Sequence, residues 1–451
     1  MINIKENKFY KTLIAISIPI IIQNLISSSL NMVDNIMIGK LGAAPIAAVG
    51  LANQFYFVFN LFVFGLNSGC AIFISQFWGK KDSKNIKRVL GICLILGIIS
   101  GALFNIIAFF APNTVMNIFT KDKEVINLGI KYLRIVSLSY IITAISFAFS
   151  FASRSIEEAK IPMITSTIAL LCNTLLNYTL IFGNFGFKPM GVEGAALATL
   201  IARIIEMITL IFITYKRKNA LCGTLKEFTD FNKEFFKKII RTIYPVVINE
   251  AFWAIGVSIY SIIYASISTD AVASYQIANT IQNIFNVACF GVASAAAVMI
   301  GNEIGAEREE NGQIYGNKFM KITIILGSLM GILIFISSNT IVGLYNVQYE
   351  VIKSANIMLK IYSFAMIFKM LSVLFIVGIL RAGGDTKRAL LLEMSGLWLV
   401  GVPIAFIGAK ILKLPVEVVV ALAYLEDVVK LITSFIRFRS KKWIRNLVRN
   451  I

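Results

Sequence analysis

One carboxylate, Asp34, lies near the end of a long apolar run that begins at Thr12. Asn24, Ser28 and Asn31 precede it at steps of four, three and three residues, so a helix would carry all four on one face. A carboxylate among amide and hydroxyl oxygens can bind a hard cation or take up a proton. A polar stripe that only hydrogen-bonds neighbouring helices is the other interpretation, and we favour the cation or proton site.

Two asparagines supply further oxygen ligands of the same kind. Asn173 and Asn177 are four residues apart in another apolar run, so they also share a helix face. The next run, "EGAALATLIAR", is rich in small residues and offers Thr199. Hydrogen bonding between packed helices is an equally open interpretation of the asparagines taken alone.

The second half carries different charged residues. Glu250 lies in "YPVVINEAFWAIG", and Lys369 lies in "SFAMIFKMLSVLF". An isolated charge in a membrane is costly, so each needs a partner. We predict that Glu250 and Lys369 pair and line one cavity. Lys369 is more than two turns from Arg381, so escape of the ammonium group to the interface is a poor alternative.

Local ion pairs account for two further groups of charges in the apolar runs. Arg203 and Glu206 are three residues apart. Lys430 is four residues from Glu426 and three from Asp427. These spacings place opposite charges beside each other on one helix, which predicts structural pairs.

No enzyme signature is present in the sequence. Histidine is absent, and the five cysteines have no spacing typical of a metal site or a disulfide framework. The chain has no Walker motif for ATP. The glycine-rich "RAGGDT" at Arg381–Thr386 follows no strand, so we interpret it as a cytoplasmic turn. We expect a protein that is not an enzyme and has no cofactor.

The composition indicates what positions these residues. Of 451 residues, 57% are hydrophobic and 15% charged, and the apolar runs are long enough to span a bilayer as helices. We predict an all-α polytopic membrane protein with about twelve transmembrane helices. The predicted spans are Thr12–Ile38, Ala44–Ile74, Val89–Ala111, Ile126–Phe151, Pro162–Phe182, Gly191–Tyr215, Ile239–Ser266, Ala271–Gly301, Phe319–Ser338, Val351–Leu380, Ala389–Ala409 and Pro415–Ile436.

The net charge of +19 is distributed unevenly. With a cytoplasmic N-terminus, roughly 30 of the 43 basic residues fall on the cytoplasmic face and about 10 on the other. This bias predicts a multi-pass protein of the plasma (inner) membrane with both termini inside. The basic tail is expected to touch anionic lipid, and the location of the charges argues against nucleic acid as a partner.

The two halves repeat. "IAAVGLANQFYFVFNLFVFGLNSGCAIFISQFWG" begins at Ile46 and "VASYQIANTIQNIFNVACFGVASAAAVMIGNEIG" at Val272, an offset of 226 residues. We predict two pseudo-symmetric six-helix lobes, 1–218 and 239–451, joined by a cytoplasmic linker at 219–238. Twin bundles around a central cavity are typical of secondary transporters.

Four motifs carry a family resemblance: "SSSLNMVDNIMIGKLGAAPIAAVGLANQ", "FGLNSGCAIFISQFWGKKD", "NTLLNYTLIFGNFGFKPMGVEGAALATLIAR" and "GILRAGGDTK". The chain resembles the multidrug and toxic compound extrusion (MATE) family over nearly its whole length. The resemblance implies Na+- or H+-driven export of organic cations and other amphipathic drugs. It also implies that Asp34, Asn173, Asn177 and Thr199 form a cation site, with Na+ possible at the first three.

The resemblance extends to the second lobe with one departure. Glu250 is similar to the seventh-helix glutamate of the family's Na+-coupled branch. Some members of that branch carry a tenth-helix aspartate where this chain has Met370, next to Lys369. On this basis Lys369 would act as a tethered cation beside Glu250.

We therefore predict a cation-coupled antiporter that exports small molecules by alternating access and acts as a monomer. The alternative is a flippase for a lipid-linked saccharide, which would need many arginines for phosphate groups. Only Arg203 lies clearly within a predicted span. A non-transporting scaffold is a third class, and the intramembrane carboxylates argue against it.

Overall fold

The computed structural model describes residues 2–345 and 347–449, which form helices and no strand. The side chains of residues 2–7 and of Asn31, a member of the predicted polar stripe, lie outside the described residues. The α-helices are α1 Ile2–Gly39, α2 Ala43–Gly79, α3 Ser83–Phe110, α4 Pro112–Phe119, α5 Lys123–Val136, α6 Ser139–Ser155, α7 Lys160–Phe182, α8 Gly191–Lys216, α9 Leu225–Thr229, α10 Lys233–Ala265, α11 Thr269–Gly305, α12 Glu309–Val342, α13 Tyr349–Val373, α14 Thr386–Met394, α15 Val402–Phe406, α16 Val416–Ala423 and α17 Leu425–Arg439. Three π-helical segments, Leu374–Leu380, Ser395–Gly401 and Ile407–Ile411, continue the tenth and eleventh predicted spans.

Ten helices of the described chain are long and apolar enough to cross a membrane. An eleventh span results if α5 and α6, which meet at a bend of 50°, are taken as one. The twelfth predicted span consists of α16 and α17, which are separated by Tyr424. The predicted all-α polytopic class is thereby confirmed, and the chain is a multi-pass membrane protein.

The repeat is visible in the helix bounds. α2 and α11 each have 37 residues, and both of their ends are offset by 226 positions, the offset found in the sequence. α1 and α10 end at Gly39 and Ala265, again 226 apart. Each of these two helices contains a proline at the corresponding position, Pro19 and Pro245. A proline removes a backbone hydrogen bond, which transmembrane helices tolerate when neighbouring groups compensate.

One compact unit comprises Ile14–Ile74 and Asp82–Ile243. Its core contains the stacked rings of Phe59 and Tyr140, whose centroids are 5.0 Å apart. The segment after α8 folds back within this unit, since a Cβ placed on Gly91 of α3 would lie 1.8 Å from the Phe228 carbonyl oxygen of α9. The predicted linker therefore contains a short helix that packs directly on α3.

The other compact unit comprises Met1–Leu13, Ser75–Lys81 and Tyr244–Ile451. The basic C-terminal tail of this unit is partly exposed and also makes ion pairs and packing contacts within the protein. Arg437 and Arg445 contact the buried carboxylate of Asp385 at 2.7 and 2.9 Å, and Trp443 is fully buried. Asp385 belongs to the "RAGGDT" turn, so the tail and this turn pack together.

Candidate cation site

The structure brings three of the predicted ligands together. Asp34 is half-buried on α1, five residues before the helix ends, and Asn173 and Asn177 are fully buried on α7. Asn177 Nδ2 donates hydrogen bonds to Asp34 Oδ1 and to Asn173 Oδ1, the latter at 3.0 Å. The helix spacing thus places Asn173 beside Asn177, and Asn177 links it to the carboxylate.

The amides retain polar atoms that nothing else satisfies. Asn177 Oδ1 and Asn173 Nδ2 are buried and have no hydrogen-bond partner among the described residues. A buried acceptor without a partner costs about 1–3 kcal/mol. A cation beside Asp34 could be met by Asn177 Oδ1 after rotation of the amide. One carboxylate and two amide oxygens therefore fit a hard monovalent cation, and the carboxylate alone fits a proton.

A further chain of hydrogen-bonded polar groups lies in the same compact unit. Arg203 donates to Glu206 Oε2 at 2.8 Å, which confirms the predicted local pair. Ser166 donates to Glu206 Oε1 at 2.7 Å, and Gln23 donates to Ser166 at 3.1 Å. Glu206 therefore compensates the positive charge of Arg203 within this chain.

Gln23 and Ser166 are members of this chain that sequence reasoning missed. Gln23 precedes Asp34 by eleven residues, which is about three helical turns, so the spacing could have placed both on one face. Ser166 precedes Asn173 by seven residues, which is about two turns. A buried serine among apolar residues carries no comparable signal by itself, because serine commonly bonds its own helix backbone.

Thr199 does not join the hydrogen-bonded group. It is half-buried on α8, one turn before Arg203. Its hydroxyl makes no hydrogen bond to Asp34, Asn173 or Asn177 in the part of the chain that the structure describes. Its predicted role as a ligand consequently has less geometric support than the roles of the other three.

The predicted pair of Glu250 with Lys369 is wrong. Arg381 donates to Glu250 Oε1 at 2.8 Å, and Lys369 Nζ lies 3.5 Å from Asp427 Oδ1. Within the described ranges these contacts replace the expected one. The residues still share one unit, but each ion takes the opposite charge that packing brings nearest.

The error has a structural cause. Arg381 is 3% exposed, whereas the sequence suggested a cytoplasmic turn. The π-helical segment Leu374–Leu380 immediately precedes it. A π-helical turn contains more residues than an α-helical turn, which changes the face on which later residues lie. Arg381 is therefore an arginine held inside the fold.

Comparisons with known proteins agree with this architecture. The family model MatE matches residues 19–179 and 245–407. The "Probable multidrug resistance protein NorM" of Thermotoga maritima is 23% identical over 405 residues, covering 90% of this chain and 86% of that protein. The "Probable multidrug resistance protein YoeA" of Bacillus subtilis is 24% identical over 407 residues, covering 88% and 87%.

Solved structures show the same fold. The MATE transporter VcmN of Vibrio cholerae, in its bent form, matches with a TM-score of 0.88 at 18% identity, covering 96% of this chain and 97% of that one. A MOP superfamily transporter from Pyrococcus furiosus matches with a TM-score of 0.85 at 21% identity, covering 96% of both chains. These likenesses are structural, since the sequence identities are low.

Proposed function

The chain belongs to the MatE family, and from this premise we propose that it is an antiporter that exports organic cations and other amphipathic small molecules in exchange for Na+ or H+. Relatives named as multidrug resistance proteins support the class of substrate. The contact of Asp34 with Asn177, which is itself hydrogen-bonded to Asn173 on α7, carries the proposal. It is a carboxylate with adaptable oxygen ligands inside a membrane protein.

At Asp34, an incoming cation or proton competes with the Asn177 amide for the carboxylate. Without a cation, the Asn177 amide donates to the carboxylate. An external cation or proton that binds Asp34 neutralises it and weakens the attraction to Asn177. Repacking of α1 against α7 then favours release of the exported molecule, and return of the cation to the cytoplasm resets the contact. A cation drives transport only by this difference in affinity between the two states.

We propose that the protein lies in the plasma (inner) membrane with both termini in the cytoplasm. The excess of basic residues on alternate connections supports it. The two repeat halves, 1–218 and 239–451, would be the moving lobes, and one chain would suffice for transport. Lipid is the surrounding partner, and no feature calls for nucleic acid.

The experiment is transport of a fluorescent organic cation in proteoliposomes, with Na+ and pH gradients imposed separately. We expect one gradient to drive transport in the native protein and Asp34→Asn to abolish driven transport. Glu193→Gln is the control, because Glu193 forms an exposed pair with Lys131. Driven transport at the native rate by folded Asp34→Asn would refute the site. Absence of driven transport in the native protein under both gradients would refute the coupling.

A further inference from the structure

A second group of charged side chains lies inside the unit that contains Tyr244–Ile451. Lys430 Nζ is 3.2 Å from Glu426 Oε1 and 3.3 Å from Glu393 Oε1, and Lys369 contacts Asp427 at 3.5 Å. The first contact confirms the predicted local pair, but the others join α13, α14 and α17. We call these five residues the C-terminal charge network.

The network has an excess of one negative charge. It contains three carboxylates and two ammonium groups, and the neighbouring Arg381–Glu250 pair adds no net charge. The other titratable side chains around it are neutral when protonated: Tyr260, Tyr264, Tyr275, Cys289, Tyr362 and Tyr424. An uncompensated charge in a low-dielectric interior is neutralised far more readily than it is tolerated.

One carboxylate, Asp427, has an oxygen without a partner, and this is where a proton would neutralise the excess negative charge. Asp427 is 2% exposed, and its Oδ2 is buried with no hydrogen-bond partner among the described residues. Its other oxygen makes the longest ion contact in the network. Glu426, in contrast, accepts a hydrogen bond from Tyr260 at 2.6 Å in addition to its contact with Lys430. Asp427 is therefore the least satisfied of the carboxylates.

Two glycines leave space for the side chains of the C-terminal charge network. A Cβ on Gly396 would lie 2.4 Å from Lys430 Cγ. A Cβ on Gly401 would lie 2.0 Å from the Tyr260 hydroxyl and 2.3 Å from Glu426 Oε2. Both glycines belong to the π-helical segment Ser395–Gly401, and π-helical turns are frequent at functional sites. The absence of side chains here lets the charged groups approach one another.

We propose that the C-terminal charge network binds one exchangeable proton, carried by Asp427, in addition to the cation bound at Asp34. The proton adds to a carboxylate oxygen and cancels the excess charge. A metal ion would need several oxygen ligands, whereas Lys369 and Lys430 already contact one oxygen of each of the three carboxylates. This inference deepens the proposed function and rests on it for a role in transport, but binding of the proton can be measured without transport.

The test is infrared difference spectroscopy of the purified full chain during a pH titration. The signal is the C=O stretching band of a buried protonated carboxyl group, followed above about pH 6, where exposed carboxyl groups are ionised, in an Asp34→Asn background to remove the first site. We expect a reversible band in Asp34→Asn and its loss in Asp34→Asn/Asp427→Asn. Asp34→Asn/Glu310→Gln is the matched control and should retain the band, because Glu310 is exposed on α12.

A second variant tests the charge balance and guards against misfolding of the first. In the Asp34→Asn background, Lys369→Met raises the excess to two negative charges, so the band should grow about twofold. No titrating band in folded Asp34→Asn, an unchanged band after Asp427→Asn, or an unchanged band after Lys369→Met would each overturn the proposal. These outcomes are separate from the proteoliposome assay, because they report protonation whether or not the protein transports the dye.

Discussion

Replacement of Arg381 by glutamine should destabilise the protein severely, because it strands a buried carboxylate. Arg381 Nη1 is 2.8 Å from Glu250 Oε1, and the two side chains are 4% and 12% exposed. After Arg381→Gln, the Glu250 carboxyl group loses the guanidinium that compensates it and must either stay charged in the interior or take up a proton, and both destabilise the folded state. Water cannot reach the carboxyl group readily, so the loss of its partner raises the free energy of the folded state.

The burial of the pair sets the magnitude. Removal of one partner of a buried pair costs about 3–5 kcal/mol, which raises the unfolding equilibrium constant roughly 100- to 4,000-fold. Lys131 and Glu193 provide a comparison at almost the same separation, 3.0 Å, with side chains 59% and 39% exposed. Exposed pairs contribute about 0.2–1 kcal/mol. The two pairs differ in burial and not in distance, so burial accounts for the expected difference.

The assay is a double-mutant cycle by SDS-induced unfolding in mixed micelles, followed by circular dichroism. Glu250→Gln and Arg381→Gln should each be strongly destabilising, and the double variant should lose less than the sum because no charge is left unpaired. Lys131→Gln and Glu193→Gln form the control cycle. A loss below about 1 kcal/mol for Arg381→Gln, or additive losses in the buried cycle, would refute the reasoning.

Two further predictions concern the site and the linker. The double variant Asn173→Ala/Asn177→Ala should weaken the apparent cation affinity more than the maximal transport rate, because neutral ligands hold the cation but do not titrate. If the cation dependence of transport is unchanged, the two asparagines have only a packing role. On the linker, the hydrogen bond and charge of Arg88 hold the pKa of Asp230 below its usual 3.8. Packing of α9 on α3 should thus be complete above about pH 3.8 and weaken as the pH falls through the lower folded-state pKa. Limited proteolysis of the linker across this range measures it, and a cleavage rate independent of pH would contradict it.

The sequence alone determined the class of protein and the local geometry of its polar residues. Long apolar runs allow only helices in a bilayer, because every backbone group must be satisfied internally. The offset of 226 residues gave the repeat that α2 and α11 reproduce. Residues three or four apart on one helix are neighbours whatever the helix packs against. This is why the Arg203–Glu206 pair and the shared face of Asn173 and Asn177 could be predicted.

Contacts between helices were decided by the tertiary structure. Glu250 and Arg381 are 131 residues apart, and no periodicity relates two separate helices. The π-helical segment before Arg381 changes its face without any sequence pattern that we recognised. The pairing of Lys369 with Asp427 likewise follows from how α13 packs beside α17. Sequence sets which ions must find partners inside a membrane, since isolated charges are costly there, but only packing selects the partner.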